Sequence, residues 1–329
     1  MNELAGKVAL ITGAGSGGTG TAMAVRFAAE GAKVALVARS EAGLEETAAR
    51  IRDMGGEALV LPCDLGDPAG GRDSLVARTE AALGPIDILV NNAVKNDLKR
   101  FWDFTLEDMQ SDGEVNLWAP MILIQQATRS MIDGGRPGWI LNMSSMGAEL
   151  PPGPPFNVKL TWQSTLYGAM KSAVNALTVQ GAVEMKPHNI CMNTLAPQRS
   201  ILTTRMRNSE IVKDKSICEP METMAEAALA LCTGDVGTRT GKLCLSLQLL
   251  VELQRPVHDL SGAHLLEGWQ PADIVKAIHY REDWTQRYLK WPNPYDFRRP
   301  QTPYPDVLRR AGRWEEGGVN PTFPDMRVK

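Results

Sequence analysis

From Lys7 to about residue 250, short and nearly unbroken apolar runs alternate with longer stretches in which apolar residues recur every three or four positions. The first kind predicts strands at KVALIT (7–12), KVALVA (33–38), ALVLP (58–62), IDILVN (86–91), GWILNM (138–143) and ICMNTL (190–195), with LCLSL (243–247) as a last strand. Several are apolar almost throughout, as strands covered on both faces must be. The periodic stretches predict helices over 19–30, 40–54, 69–83, 105–131, 166–185 and 221–232. Regular succession of strand and helix implies repeated βαβ units, hence an α/β fold: a doubly wound parallel sheet of about seven strands between two helical layers.

Two segments break this rhythm. Residues 149–164 contain PPGPP, and proline both removes ladder donors and bars the preceding residue from the α region, so a loop is expected there. Residues 256–329 hold nine of the 21 prolines and ten of the 19 aromatic side chains. Disordered chains are poor in aromatics, so an ordered extension with a short helix near 272–289 is expected to follow a main domain of residues 1–255.

Composition narrows the function classes. A net charge of −3 gives no long-range attraction for nucleic acid or anionic membranes. No apolar run is long enough to span a bilayer and the first strand begins at once, which points to a cytoplasmic protein. The five cysteines are scattered, without CxxC pairs or nearby histidines, so thiols are expected and a metal site is not.

Chemistry concentrates in three places. TGAGSGGTG (12–20) lies between the first strand and an alanine-rich helix, where glycines let the backbone approach a pyrophosphate seated on the helix's unpaired amides. Its candidate contacts are Gly13, Gly15, Ser16, Gly17, Gly18, Thr19 and Gly20. The second strand ends with Arg39 and Ser40 rather than an acid. An arginine there suits a ribose 2′-phosphate, so NADP(H) is preferred, while Glu41 keeps NAD(H) open. YGAMK (167–171) sets a phenol and an ammonium one helical turn apart, and Tyr167 is the one tyrosine before residue 280. Moving a phenol from pKa 10 to near 7 takes about 4 kcal/mol of differential stabilisation, a load for Lys171 together with an oxidised nicotinamide.

These motifs, in this order, resemble those of the short-chain dehydrogenase/reductase superfamily, with a Rossmann-type sheet and without a large second domain. The glycine loop resembles TGxxxGxG. Gly13 and Gly17 fit its spacing but Thr19 stands at the third glycine; taking Gly13, Gly18 and Gly20 instead adds one residue and aligns the following helix. The resemblance implies that Asp64 and Leu65 contact adenine and that Asn92 and Ala93, in NNA (91–93), lie under the cofactor, with Val94 where the family has glycine. It implies a catalytic set of Asn116, Ser145, Tyr167 and Lys171, with Ser144 as the alternative serine. Ser145 precedes Tyr167 by more than the family's spacing, and the 149–164 insertion accounts for the excess. Ser164 is closer but lies off the strand end.

Beyond the sixth strand, Pro197 matches the family's PG turn, Gln198 replaces its glycine, and Thr203 is the preferred carboxamide contact, with Thr204 as rival. Residues 198–220 are then the expected substrate lid. Trp102, Trp118, Trp139 and Trp162 are read first as core residues, with Trp162 the best candidate for a substrate wall and hence for a bulky apolar or aromatic substrate. The implied function interconverts a ketone or aldehyde with an alcohol in a homodimer or homotetramer. A silent NADP(H)-sensing regulator, or a dehydratase or epimerase of the same fold, is the alternative.

Overall fold

The computed structural model describes residues 2–15, 17–148, 165–207, 215, 218–237 and 239–279. The chain divides into one unit, Met1–Tyr280, and a second, Arg281–Lys329, which lies outside the described residues. Also outside them are Ser16, the 149–164 insertion with Trp162 and Ser164, and lid residues 208–214, 216 and 217.

Strands β1 (Val8–Thr12), β2 (Lys33–Ala38), β3 (Ala58–Pro62), β4 (Ile88–Asn91), β5 (Gly138–Met143), β6 (Ile190–Ala196) and β7 (Leu243–Leu245) form one parallel sheet in the order β3-β2-β1-β4-β5-β6-β7. Each pairing is parallel, with Leu10 beside both Ala35 and Leu89. The order reverses between β1 and β4, so the carboxyl ends of those strands open a crevice at the switch point. Successive residues of each strand serve opposite cores. Ala9, Ile11, Val34 and Leu36 face one apolar layer, and Val8, Leu10, Ala35 and Val37 the other.

The first layer is covered by α1 (Thr19–Ala29), α2 (Glu41–Asp53), α8 (Met221–Leu231) and α9 (Ser246–Glu252). The second is covered by α3 (Leu75–Leu83), α5 (Ala119–Asp133) and part of α6 (Thr165–Met185). Helix α4 (Leu106–Gly113) starts at a capping box: the Thr105 hydroxyl accepts from the Asp108 amide and the Asp108 carboxylate accepts from the Thr105 amide. A π-turn at Glu114–Trp118 then joins α4 to α5, so the single helix expected over 105–131 carries a widened turn around Asn116.

Two boundaries differ from the pattern-based expectation. LCLSL is not strand throughout, because Ser246 turns its hydroxyl to the buried Glu219 carboxylate (2.7 Å) and begins α9. The third helix starts at Leu75 after a 3₁₀ turn, later than residue 69. Residues 256–279 pack on the sheet unit: Val257 and Ile274, the latter on α10 (Pro271–His279), are buried with α8 and α9. An ion network ties that corner together. Arg26, wholly buried, donates to Glu30 (2.7 Å) and Glu226 (2.8 Å), and Glu226 also accepts from Arg255 (3.1 Å) and pairs with His258 (3.1 Å).

Candidate active site

At the switch point the glycine loop folds back on the exit of β4. Gly13 has φ +71, and a methyl group on it would stand 2.7 Å from the Asn92 amide nitrogen. A methyl on Gly20 would collide with the Gly13 carbonyl and approach Asn92 Nδ2 at 2.5 Å. The structure therefore joins Gly13 and Gly20 in one close contact that only hydrogen side chains allow. Gly18 caps α1 without any side-chain bond, which leaves the first amides of the helix to an outside acceptor. That bare amide end, under a turn that a Cβ would fill, is the cradle a pyrophosphate requires.

Asn92 serves this loop as a brace. Its amide group donates to the Thr12 carbonyl (2.9 Å) and accepts from the Thr19 hydroxyl (2.8 Å). The Thr12 hydroxyl in turn accepts the Asn92 and Ala93 amides at 2.9 and 3.0 Å. At the end of β2 Arg39 is exposed and has no ion pair among the described residues, whereas the Ser40 hydroxyl is occupied in capping α2 through the Gly43 amide (3.2 Å). Beyond β3 the Asp64 carboxylate closes a turn on the Gly66 amide (2.9 Å) and Leu65 is buried.

The end of β5 and the start of α6 bring Ser145, Tyr167 and Lys171 together. The Ser145 hydroxyl accepts from the Gly147 amide (3.1 Å), and a methyl group on Gly147 would lie 3.4 Å from that hydroxyl and 3.8 Å from the Tyr167 ring, so the two side chains meet there. Ser144 is turned away, donating to Asn175 (2.6 Å), so Ser145 is the serine at the phenol. Gly168 lets α6 approach: any side chain there would collide with the Gly147 carbonyl. Lys171 Nζ donates to the Met143 carbonyl (2.8 Å) and lies 5.6 Å from the Tyr167 ring centroid. Burial pushes its pKa from 10.5 down to about 8. Burial raises the Tyr167 pKa, and the Ser145 hydroxyl offsets only part of this. The lysine alone does not make a phenolate.

Asn116 stands in the π-turn, buried, with its side chain committed: Nδ2 donates to the carbonyls of Lys95 (2.7 Å) and Asp112 (2.9 Å), and Oδ1 accepts from the Lys95 amide (3.4 Å). Its side-chain amide is therefore a brace in this structure. Past β6, Pro197 is half-buried and Gln198 is fixed from both sides, its amide donating to Ser246 (3.2 Å) and its side chain accepting from the Gln248 amide (3.0 Å). Thr203 accepts from the Met206 amide (3.1 Å) at the start of α7 (Thr204–Arg207). Thr204 is the residue that crosses to the glycine loop, donating to the Gly17 carbonyl at 3.1 Å.

The two ends of the 199–219 segment meet in a stapled neck. Ile201 bridges Glu219, whose buried carboxylate accepts from the Arg199 amide (2.9 Å) and the Thr223 hydroxyl (2.8 Å). Burial drives the Glu219 pKa up. The tryptophans divide: Trp139 is buried with the Lys7 ammonium 5.3 Å over its ring, while Trp102 and Trp118 are exposed and do not belong to the core. Among the described residues no group of acidic, histidine and cysteine side chains is arranged to hold a metal. No described helix is long and apolar enough to cross a membrane.

A glycine cradle at the switch point of a parallel sheet, facing a serine, tyrosine and lysine at the end of the fifth strand, defines a dinucleotide-dependent oxidoreductase. The family profile described as short chain dehydrogenase matches residues 7–214, and the chain belongs to that family. It is similar to an uncharacterized oxidoreductase of Thermotoga maritima, 34% identical over 251 residues that span 72% of this chain and 94% of that protein. Human L-xylulose reductase is 35% identical over 195 residues, 59% of this chain and 72% of the relative. A Mycobacterium marinum short-chain dehydrogenase/reductase structure superposes with a TM-score of 0.65 at 30% identity, covering 74% of this chain and 94% of its own. A structure from Agrobacterium tumefaciens with bound NADP gives a TM-score of 0.63 at 29% identity, over 74% and 95% of the two chains. The protein is thus an oxidoreductase of alcohols and carbonyls that uses NAD(P) and a small-molecule substrate.

Proposed function

We propose that the protein is an NADP(H)-dependent reductase or dehydrogenase of a bulky apolar or aromatic carbonyl/alcohol pair, with Tyr167 as its acid and base. The observation that carries this is the meeting of Ser145 and Tyr167 beside Gly147 past the end of β5, with the buried Lys171 one helical turn on.

The cofactor fits the residues present. The amides at the start of α1, with Gly13 and Gly20 beneath, would hold its pyrophosphate, and Arg39, unpaired at the end of β2, would hold a 2′-phosphate. Asp64 and Leu65 would meet the adenine; Ala93, Pro197 and Thr203 would border the nicotinamide, with Thr204 favoured over Thr203 by its reach to the loop. When bound, NADP(H) supplies or accepts the hydride. Ser145 stabilises the oxyanion that develops on the substrate, and Tyr167 delivers the proton from its phenolic oxygen. Lys171, one helical turn from Tyr167, would stabilise the phenolate left when the proton has gone to the substrate.

Exposed Phe101 and Trp102, near the β4 exit, support the apolar or aromatic substrate. Exposed Met121, Ile132 and Val183 on α5 and α6 support a homodimer or homotetramer built on those helices. The test is loss of NADPH absorbance with a panel of aromatic, steroidal and β-ketoacyl carbonyls. Wild type turns over at least one of them, and Tyr167→Phe binds NADPH equally but turns over at least a hundredfold less. If both proteins bind NADPH and neither reacts, the protein is a sensor and the catalytic reading is wrong.

A further inference from the structure

Lys95 follows the Asn91–Asn92–Ala93 segment directly after Val94, and it holds Asn116 twice over. Its backbone brackets the Asn116 amide, accepting Nδ2 at 2.7 Å and donating to Oδ1 at 3.4 Å. The second proton of that Nδ2 goes to the Asp112 carbonyl at 2.9 Å. The ring then closes through side chains, because the Lys95 ammonium reaches back to the Asp112 carboxylate at 3.1 Å. Backbone of Lys95, amide of Asn116, backbone and carboxylate of Asp112, ammonium of Lys95: the loop runs from the exit of β4 to the π-turn and returns.

Asp112 is an unusual occupant of its place. Its side chain is 1% exposed, and its one ion-pair partner among the described residues is Lys95. A helix position that served packing alone would be at least as stable with an apolar side chain, since a buried ion pair seldom repays its desolvation. The ammonium donates to the Ser111 hydroxyl (2.7 Å) and lies 3.1 Å from a carboxylate oxygen of both Asp97 and Asp112. Burial works to lower the lysine's pKa, but the two carboxylates outweigh it and hold the group charged.

We propose that Lys95 and Asp112 are positioning residues for the oxidoreductase reaction: their ion pair fixes the turn after β4 against the π-turn and thereby sets Asn116 and the Ala93–Val94 edge of the site. This rests on Asn116 being part of that site. The pair is a registry device, one of the attested reasons for keeping a buried charge. It acts through geometry, and small displacements of such an edge are costly to turnover.

The test uses the full chain with K95M, K95R, D112N, the apolar pair K95M/D112L, and N116A. A carbonyl turned over by the wild type gives kcat and KM, NADPH fluorescence gives the cofactor Kd, and amide hydrogen exchange follows residues 93–97 and 112–118. K95M, D112N and K95M/D112L are expected to lose about tenfold in kcat with KM and Kd within about twofold, and to exchange faster at 93–97. K95R restores most of the rate. The double variant keeps the fold and matches the single variants, as one broken link opens the ring as fully as two. Wild-type kcat or unchanged exchange at 93–97 in K95M/D112L overturns the proposal. If N116A alone loses kcat while the Lys95 and Asp112 variants keep it, the positioning role falls and Asn116 stays in the site. If N116A also keeps wild-type kcat, the reading of Asn116 falls and takes the proposal with it.

Discussion

Replacing Lys171 by methionine removes an ammonium from a site that is 3% exposed and leaves an apolar side chain one atom shorter. The fall in its pKa from 10.5 to about 8 corresponds to about 3 kcal/mol of preference for the neutral form in the folded protein. Because the folded pKa lies below the unfolded one, both states are protonated at pH 7 and the folded state carries nearly the whole penalty. The penalty fades as pH rises from about 8 toward 10.5, where the unfolded chain binds the extra proton. Methionine also leaves the Met143 carbonyl without the bond it accepts at 2.8 Å, a loss of about 1 to 1.5 kcal/mol. Lys171→Met should therefore stabilise the cofactor-free protein by about 2 kcal/mol at pH 7, and the advantage should vanish near pH 9.5, where the wild-type penalty has dropped to about 1.4 kcal/mol. The same variant should be inactive. Urea unfolding of both proteins at the two pH values gives the comparison. Equal stabilities at pH 7, or a gap that persists at pH 9.5, would refute the account of Lys171 as a charge held against its solvation preference.

Arg39→Ala should weaken NADPH binding at least tenfold while changing NADH less than twofold, in fluorescence titrations; equal losses would remove the 2′-phosphate reading. Glu226→Gln leaves the wholly buried Arg26 with Glu30 alone and should cost about 3 to 5 kcal/mol of stability, seen as a lower urea midpoint at unchanged slope.

The sheet was legible because its strands are apolar on both sides and separated by helical periodicity; β1 to β6 appear where KVALIT, KVALVA and the other runs stand. The glycine loop and YxxxK were legible for a different reason, since each compresses a local geometric demand into a few adjacent residues. What escaped is non-local. Nothing around Thr204 in sequence marks it as the partner of Gly17, 187 residues away, and nothing in MAEAA shows that Glu226 neutralises Arg26 across 200 positions. The commitment of Asn116 to Lys95 is also invisible, because it depends on the π-turn, which has no signature in EVNLW. The burial that raises the Tyr167 pKa is invisible too, because it is a property of the assembled site.

The Arg26 network also bears on how the chain is made. On the ribosome Arg26 emerges early, while Glu226, Arg255 and His258 follow some two hundred residues later. Until they arrive, α1 cannot seat its guanidinium in an apolar interior and must keep that face wet. Completion of this half of the sheet is thereby deferred to the last stretch of synthesis, and a ribosome stalled before residue 226 would display an unclosed α1 to chaperones.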